Sequence, residues 1–203
     1  MRHHKFCFAA GVLVFAALML SAPRVLAQRG ALVAPSDVAQ LAAQARTILR
    51  GRVISAHVEP HPELSNLSTV VVTIKVDETL KGTPGATYTF RQYIWDIRDR
   101  MDGAGYRKGQ EYLLLMNAPT KRGLTSPAGL EQGRFRILRD GEGRETAVNG
   151  YDNFGLFRNL ETTAQKRGVQ LSTNVRSLAK THKSGAVLLD DLRTVIKQFA
   201  GAK

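Results

Sequence analysis

Between residues 47 and 149 the apolar side chains recur at every second position in one short run after another. That period restricts the chain to a sheet whose strands each bury one side. The clearest run is Val70, Val72, Ile74 and Val76, opposed by Val71, Thr73, Lys75 and Asp77. Over residues 47–53, Leu49, Gly51 and Val53 alternate with Ile48, Arg50 and Arg52, and a glycine on the inner side predicts a bulge or a bend. Residues 87–93, 112–116 and 134–137 read as further strands, and Asp140-Gly141-Glu142-Gly143 turns the last of these into a sixth at 145–149. Residues 57–67, with Pro60, Pro62 and Asn66, read as a loop, as do 119–129, and 94–109 reads as a long irregular connection.

A helix is expected at each end of this array. Ser36 and Asp37 are helix starters ahead of Val38, Leu41, Ala42 and Ala45. Leu188, Leu192, Val195 and Phe199 mark an amphipathic C-terminal helix, with Asp190 and Asp191 in its first turn and Lys197 in its last. Few bases on its polar side favour packing on the sheet over lying on a membrane. The expected fold is mainly β: a small antiparallel barrel of five or six strands, of the oligonucleotide/oligosaccharide-binding (OB) kind, with a short N-terminal and an amphipathic C-terminal helix.

The first 27 residues read as an export signal. Arg2, His3, His4 and Lys5 precede an apolar run over residues 6–20, and Val25-Leu26-Ala27 suits cleavage before Gln28. That run falls short of the roughly 20 apolar residues that cross a bilayer, so no stable membrane anchor is expected after cleavage. Periplasm or extracellular space is the implied location. Cleavage removes Cys7, the one cysteine, and with it thiol chemistry and disulfides. It also removes Arg2, Lys5 and Arg24, leaving 26 basic against 17 acidic side chains, a net charge of +9. Outside the cytoplasm such a balance favours an acidic protein or an anionic envelope polymer, with no nucleic acid expected. The expected organisation is a signal at 1–27, a tether at 28–35, a barrel domain at 36–157, a basic linker or partner-ordered arm at 158–183, and a helix within 184–203 packing on the barrel.

Four runs carry a resemblance: Ala45-Arg46-Thr47-Ile48-Leu49-Arg50-Gly51-Arg52-Val53, Leu80-Lys81-Gly82, Lys108-Gly109-Gln110-Glu111-Tyr112-Leu113-Leu114-Leu115, and Gly129-Leu130-Glu131-Gln132-Gly133-Arg134-Phe135. Over about residues 36–200 the chain resembles a group of uncharacterised bacterial exported proteins. The resemblance implies an OB-like barrel, distantly similar to netrin and tissue-inhibitor-of-metalloproteinase modules. These are turn and strand signatures, so the resemblance implies a compartment and a fold without an activity.

Candidate chemistry in the sequence is weak. Ser177-Leu178-Ala179-Lys180 matches the S-x-x-K nucleophile pattern, but the K-[ST]-G-like Lys183-Ser184-Gly185 is almost contiguous with it and no S-D-N element lies between. His57, Glu59, His61 and Glu63 have metal-like composition, yet Pro60 and Pro62 prevent a helix that would align the imidazoles. Asp96, Asp99 and Asp102 alternate with Arg98 and Arg100, which favours local ion pairing over calcium. Trp95 reads as a core plug more readily than as a stacking platform. No catalytic residue, metal or cofactor is assigned. The pattern given most weight is Arg50, Arg52, Lys75, Arg91, Arg134 and Arg136, all at polar strand positions, several of which a barrel would bring onto one outer face as a ligand-binding surface. The leading expectation is an exported, non-catalytic binding module. Alternatives are a cell-envelope hydrolase and a protease-directed inhibitor or accessory protein.

Overall fold

The first helix forms where its leading backbone donors find partners. In the computed structural model, which describes residues 33–94 and 103–201, the Gln40 N–H donates to Asp37 Oδ1 at 2.8 Å and the Asp37 N–H donates to Gln40 Oε1 at 2.9 Å. This reciprocal box caps α1 (Val38–Gln44), which buries Val38, Ala39, Leu41 and Ala42. The signal read at 1–27, and Trp95 with the acids at 96, 99 and 102, lie outside the described residues.

Two long strands follow, β1 (Thr47–Pro60) and β2 (Ser68–Lys81), then β3 (Thr87–Tyr93), β4 (Glu111–Met116), β5 (Arg134–Arg139) and β6 (Glu145–Asn149). Two short helices, α2 (Leu160–Lys166) and α3 (Thr173–Thr181), precede the two-residue β7 (Val187–Leu188), which runs directly into α4 (Leu189–Ala200). The seven strands form one antiparallel sheet in the order β3-β2-β1-β4-β5-β6-β7.

Three register shifts bend β1 against β2, one of them between Arg50 and Gly51. A Cβ at Gly51 would collide with the Lys75 carbonyl oxygen and the Ile74 side chain, so the close approach of the two backbones there requires glycine. The bend separates two cores. On one face α1 and α4 pack with Ile48, Leu113, Leu115, Phe135, Ile137 and Ala147. On the other, Leu49, Val53, Val70, Val72, Ile74, Phe90, Tyr106, Tyr112, Leu114 and Met116 pack inside the curl of the sheet itself. Strand β4 is buried on both sides, which explains its unbroken Tyr112-Leu113-Leu114-Leu115-Met116 run.

Mainly antiparallel β is correct, whereas the expected barrel of five or six strands is instead an open sheet of seven. Closure needs the outer edge of β3 to pair with the far edge of the sheet. Instead the loop after β4 takes that edge at one bridge, Arg91 to Leu124, where the Thr125 N–H donates to the Arg91 carbonyl at 2.8 Å. The far edge is β7, too short to show any alternation in sequence. The loop expected from His57 also starts late. Strand β1 continues to Pro60, which pairs with Ser68 at the very end of the ladder, where a proline need not donate. Residues 158–183, read as a linker or arm, contain α2 and α3, with Leu160, Ala164, Leu171 and Val175 buried in the helix-side core. The C-terminal helix packs on the sheet through Leu189, Leu192, Val195, Ile196 and Phe199. Among the described residues no helix is long and apolar enough to cross a membrane.

Candidate anion-binding site

The alternation of β5 sends Phe135 and Ile137 into the helix-side core and Arg134 and Arg136 to the opposite face. There Arg134 lies across from Leu114, and Arg136 lies between Tyr112 of β4 and Val148 of β6. With Gly105, Arg107, Gln110, Glu131, Asn149 and Gly150 these side chains line a small polar cavity of about 270 Å³.

Arg134 is the fixed point of this cavity. Its side chain is only 14 % exposed; Nε and Nη2 donate to Glu131 Oε2 at 3.1 and 2.6 Å, and Nη1 donates to the Ala104 carbonyl at 2.6 Å. The guanidinium also sits 4.6 Å above the centroid of the Tyr106 ring. Burial alone would weaken this cation, but Tyr106, Glu131 and Tyr112 outweigh it and hold the pKa above the ordinary arginine value. Burial likewise pushes the Tyr106 and Tyr112 phenols up, so both are neutral donors at physiological pH.

The supports of Arg134 are themselves built in. Gly105 adopts φ +79°, and a Cβ there would press on Arg134 Nη2. The Gly150 N–H donates to the Glu131 carbonyl at 3.1 Å, and a Cβ at Gly150 would come within 2.7 Å of the Glu131 side chain. Asn149 Nδ2 donates to the Gln132 carbonyl at 3.0 Å, tying β6 to the turn that carries Glu131. The Tyr112 hydroxyl lies 2.8 Å from both the Gly105 carbonyl and Gln110 Oε1.

Arg107 and Arg136 are exposed, and no carboxylate among the described residues pairs with either. The cavity therefore carries three arginines against one glutamate. Arg134 donates to Glu131 and to the Ala104 carbonyl, and among the described residues Arg107 and Arg136 have no carboxylate partner, so the three guanidinium groups together can take an incoming carboxylate or phosphate.

The six cations, several of which are expected on one outer face, divide between two faces. Arg50 pairs in register with Leu113, so it points to the helix side, where Nη2 donates to Glu145 Oε1 at 2.7 Å and Glu111 Oε2 at 3.3 Å. Arg52 pairs with Glu111 on that side, and Lys75 is its exposed neighbour across β2. Arg91 donates to Glu59 at 2.6 Å and to Thr69 Oγ1 at 2.8 Å. Only Arg134 and Arg136 reach the cavity. Arg107, Gln110 and Glu131 were hidden from sequence reading by lying in turns, although Glu131 three residues before Arg134 is a spacing at which a turn can bring the two charges together.

The weaker motifs are occupied otherwise. Ser177 and Lys180 lie exposed on α3, with Lys180 3.9 Å from Glu161. His61 is buried with both ring nitrogens engaged: the Glu63 N–H donates to Nδ1 at 3.2 Å, and Nε2 donates to the Arg122 carbonyl at 3.0 Å. His57 contacts Glu59 at 3.2 Å. No three His, Cys, Asp or Glu side chains come together as a metal ion would need among the described residues. Compared with known proteins, no family model, no curated protein and no solved structure matches this chain.

Proposed function

We propose that this chain is an exported, non-catalytic binding module, resembling OB-like envelope proteins, that engages anionic groups of an acidic protein or an anionic envelope polymer through the cavity at Arg107, Arg134 and Arg136. The observation that carries the reading is the contrast within the cavity. One arginine is mostly buried and oriented, and two exposed ones have no carboxylate partner among the described residues. A fixed arginine loses little freedom on binding and presents its remaining N–H groups in a set direction, while unpaired neighbours supply steering charge.

The test is titration of the protein with polyglutamate and with heparin at low and high salt. Affinity is expected to fall as salt rises, and Arg136→Glu is expected to weaken binding by about tenfold or more. Binding that ignores both salt and the charge reversal overturns the proposal.

A further inference from the structure

Beyond the cavity, the loop that leaves β6 holds an aromatic side chain in water by unusual means. Phe154 is 73 % exposed, while the other large exposed apolar residues among those described, Ile54, Leu138 and Leu188, reach 42 % at most. Single exposed apolar residues are ordinary on flexible loops, but this one is rigidly mounted. Asp152 and Asn153 both have left-handed backbone, φ 53° and 54°, at the centre of a turn that the Phe154 N–H closes by donating to the Tyr151 carbonyl at 3.0 Å. Two such residues in succession occur in turns of the I′ kind, which Asn and Asp tolerate and bulkier residues resist.

The turn is then clamped from beneath. Asn153 is fully buried; its Oδ1 accepts from the Asn149 N–H at 3.0 Å and its Nδ2 donates to the carbonyls of Ala147 and Gly185, both at 2.9 Å. The Asn149 Oδ1 accepts in return from the N–H groups of Asn153 and Tyr151, each at 2.9 Å. The Gly185 N–H donates to the Asp152 carbonyl at 2.7 Å, and the Gly155 N–H to the Lys183 carbonyl at 3.3 Å. These bonds are far more than a solvent-exposed phenylalanine needs, and their effect is to fix where its ring stands.

The surroundings indicate what it meets. Gly150 lines the arginine cavity, and a turn span under about 7 Å plus one Cα step of about 3.8 Å places the Phe154 backbone within about 11 Å of it. Next along the chain, Gly155 stands beside two exposed cations: a Cβ there would lie 3.6 Å from the Arg158 guanidinium carbon, and its N–H is the one bonded to the Lys183 carbonyl. A fixed, exposed aromatic in the neighbourhood of a mostly buried arginine and several exposed ones is the composition of a protein-binding hot spot. We propose that Phe154 is the apolar anchor of an interface for an acidic segment of a partner protein, with an aliphatic or aromatic residue of that segment against the ring and a carboxylate in the Arg107–Arg134–Arg136 cavity. The partner class rests on the anion-binding reading above; the anchor adds the requirement for an apolar residue, which a purely anionic polymer does not satisfy.

The experiment selects phage-displayed random dodecapeptides against the protein, then measures a synthetic consensus peptide and heparin against the wild type, Phe154→Ala and Arg136→Glu. Enriched peptides are expected to combine acids with one large apolar residue. Phe154→Ala is expected to bind the peptide at least about tenfold more weakly while binding heparin as before, and Arg136→Glu is expected to weaken both. Peptide binding unchanged in Phe154→Ala, consensus peptides without an apolar residue, or no enrichment overturns the anchor and leaves the cavity reading standing if heparin binding still responds to Arg136→Glu. Insensitivity of both probes to Arg136→Glu removes the cavity reading instead.

Discussion

The two faces of the sheet use arginine in opposite ways. On the helix side, Arg50 lies between Glu111 and Glu145, Arg52 and Arg139 join the same two acids, and Arg193 with Lys197 of α4 meets Glu78 of β2. On the far face, one glutamate serves Arg134, and among the described residues no carboxylate serves Arg136 or Arg107. A high basic count therefore says little about binding; what distinguishes a recognition surface from a structural one is which cations lack carboxylates. Helix-side pairs bridge secondary elements, so their acids are part of the fold. On the far face the positive charge of Arg107 and Arg136 is not balanced by a carboxylate among the described residues, which is what the proposed anion binding requires.

The contrast can be broken most strongly from its buried side. Phe135 backs Arg134 and Arg136 on β5, and Phe135→Ala is expected to destabilise the protein by about 3 to 5 kcal/mol in denaturant titration by leaving a cavity under the helices. Next comes Glu131→Ala, which strands the mostly buried Arg134 guanidinium without its partner. Because Glu131 is itself partly exposed, about 1 to 2 kcal/mol is expected, with a stronger response to added anions than in the wild type.

A smaller effect concerns acid. Burial pushes Glu78 up, but Arg193 and Lys197 outweigh it and hold its carboxyl below the usual value of 4.5. A carboxylate with a lowered folded pKa stabilises above the unfolded value, and that contribution disappears as pH falls through the folded one. Glu78→Gln is therefore expected to flatten the loss of stability below about pH 4.5 and to cost less than about 1 kcal/mol at neutrality, read by unfolding across pH. Asp37 works the other way: burial, its largest influence, raises its pKa despite bonds from the Gln40 and Ala39 backbones, so its contribution improves as pH falls. The smallest stability change is expected for Arg136→Glu, within about 0.5 kcal/mol, although it should abolish most anion binding; a large loss of stability would place Arg136 with the structural cations instead.

Sequence reading recovered the elements whose periodicity is carried by several residues. Strand β6 and both terminal helices stand where alternation or helical spacing places them, and the Asp37 start became the observed cap. It failed where a tertiary partner overrides a local signal. Pro60 reads as loop but closes a ladder, and Leu160 with Ala164, and Leu171 with Val175, are single i,i+4 pairs among charges, one turn each and too few to announce buried helices. β7 holds two residues and has no period to detect. The cavity was half legible: Arg134 and Arg136 stood out through alternation on β5, whereas Arg107, Glu131 and the carbonyl of Ala104 arrive through turns whose geometry no period encodes. Opposed faces could not be separated either, because the register shifts in β1 change which side each long strand presents.

Helix α1, at the start of the described domain, has its main helical partner in α4, at the end. Contacts this distant along the chain make loop closure expensive and folding slow. During synthesis from the amino end, Leu41 and Ala42 stay without their α4 cover until Leu192 and Phe199 have been made, shortly after β7. The helix-side core is therefore completed late: α1 and the sheet face beneath it wait on α4, and a chain truncated before α4 would leave an apolar slab facing water.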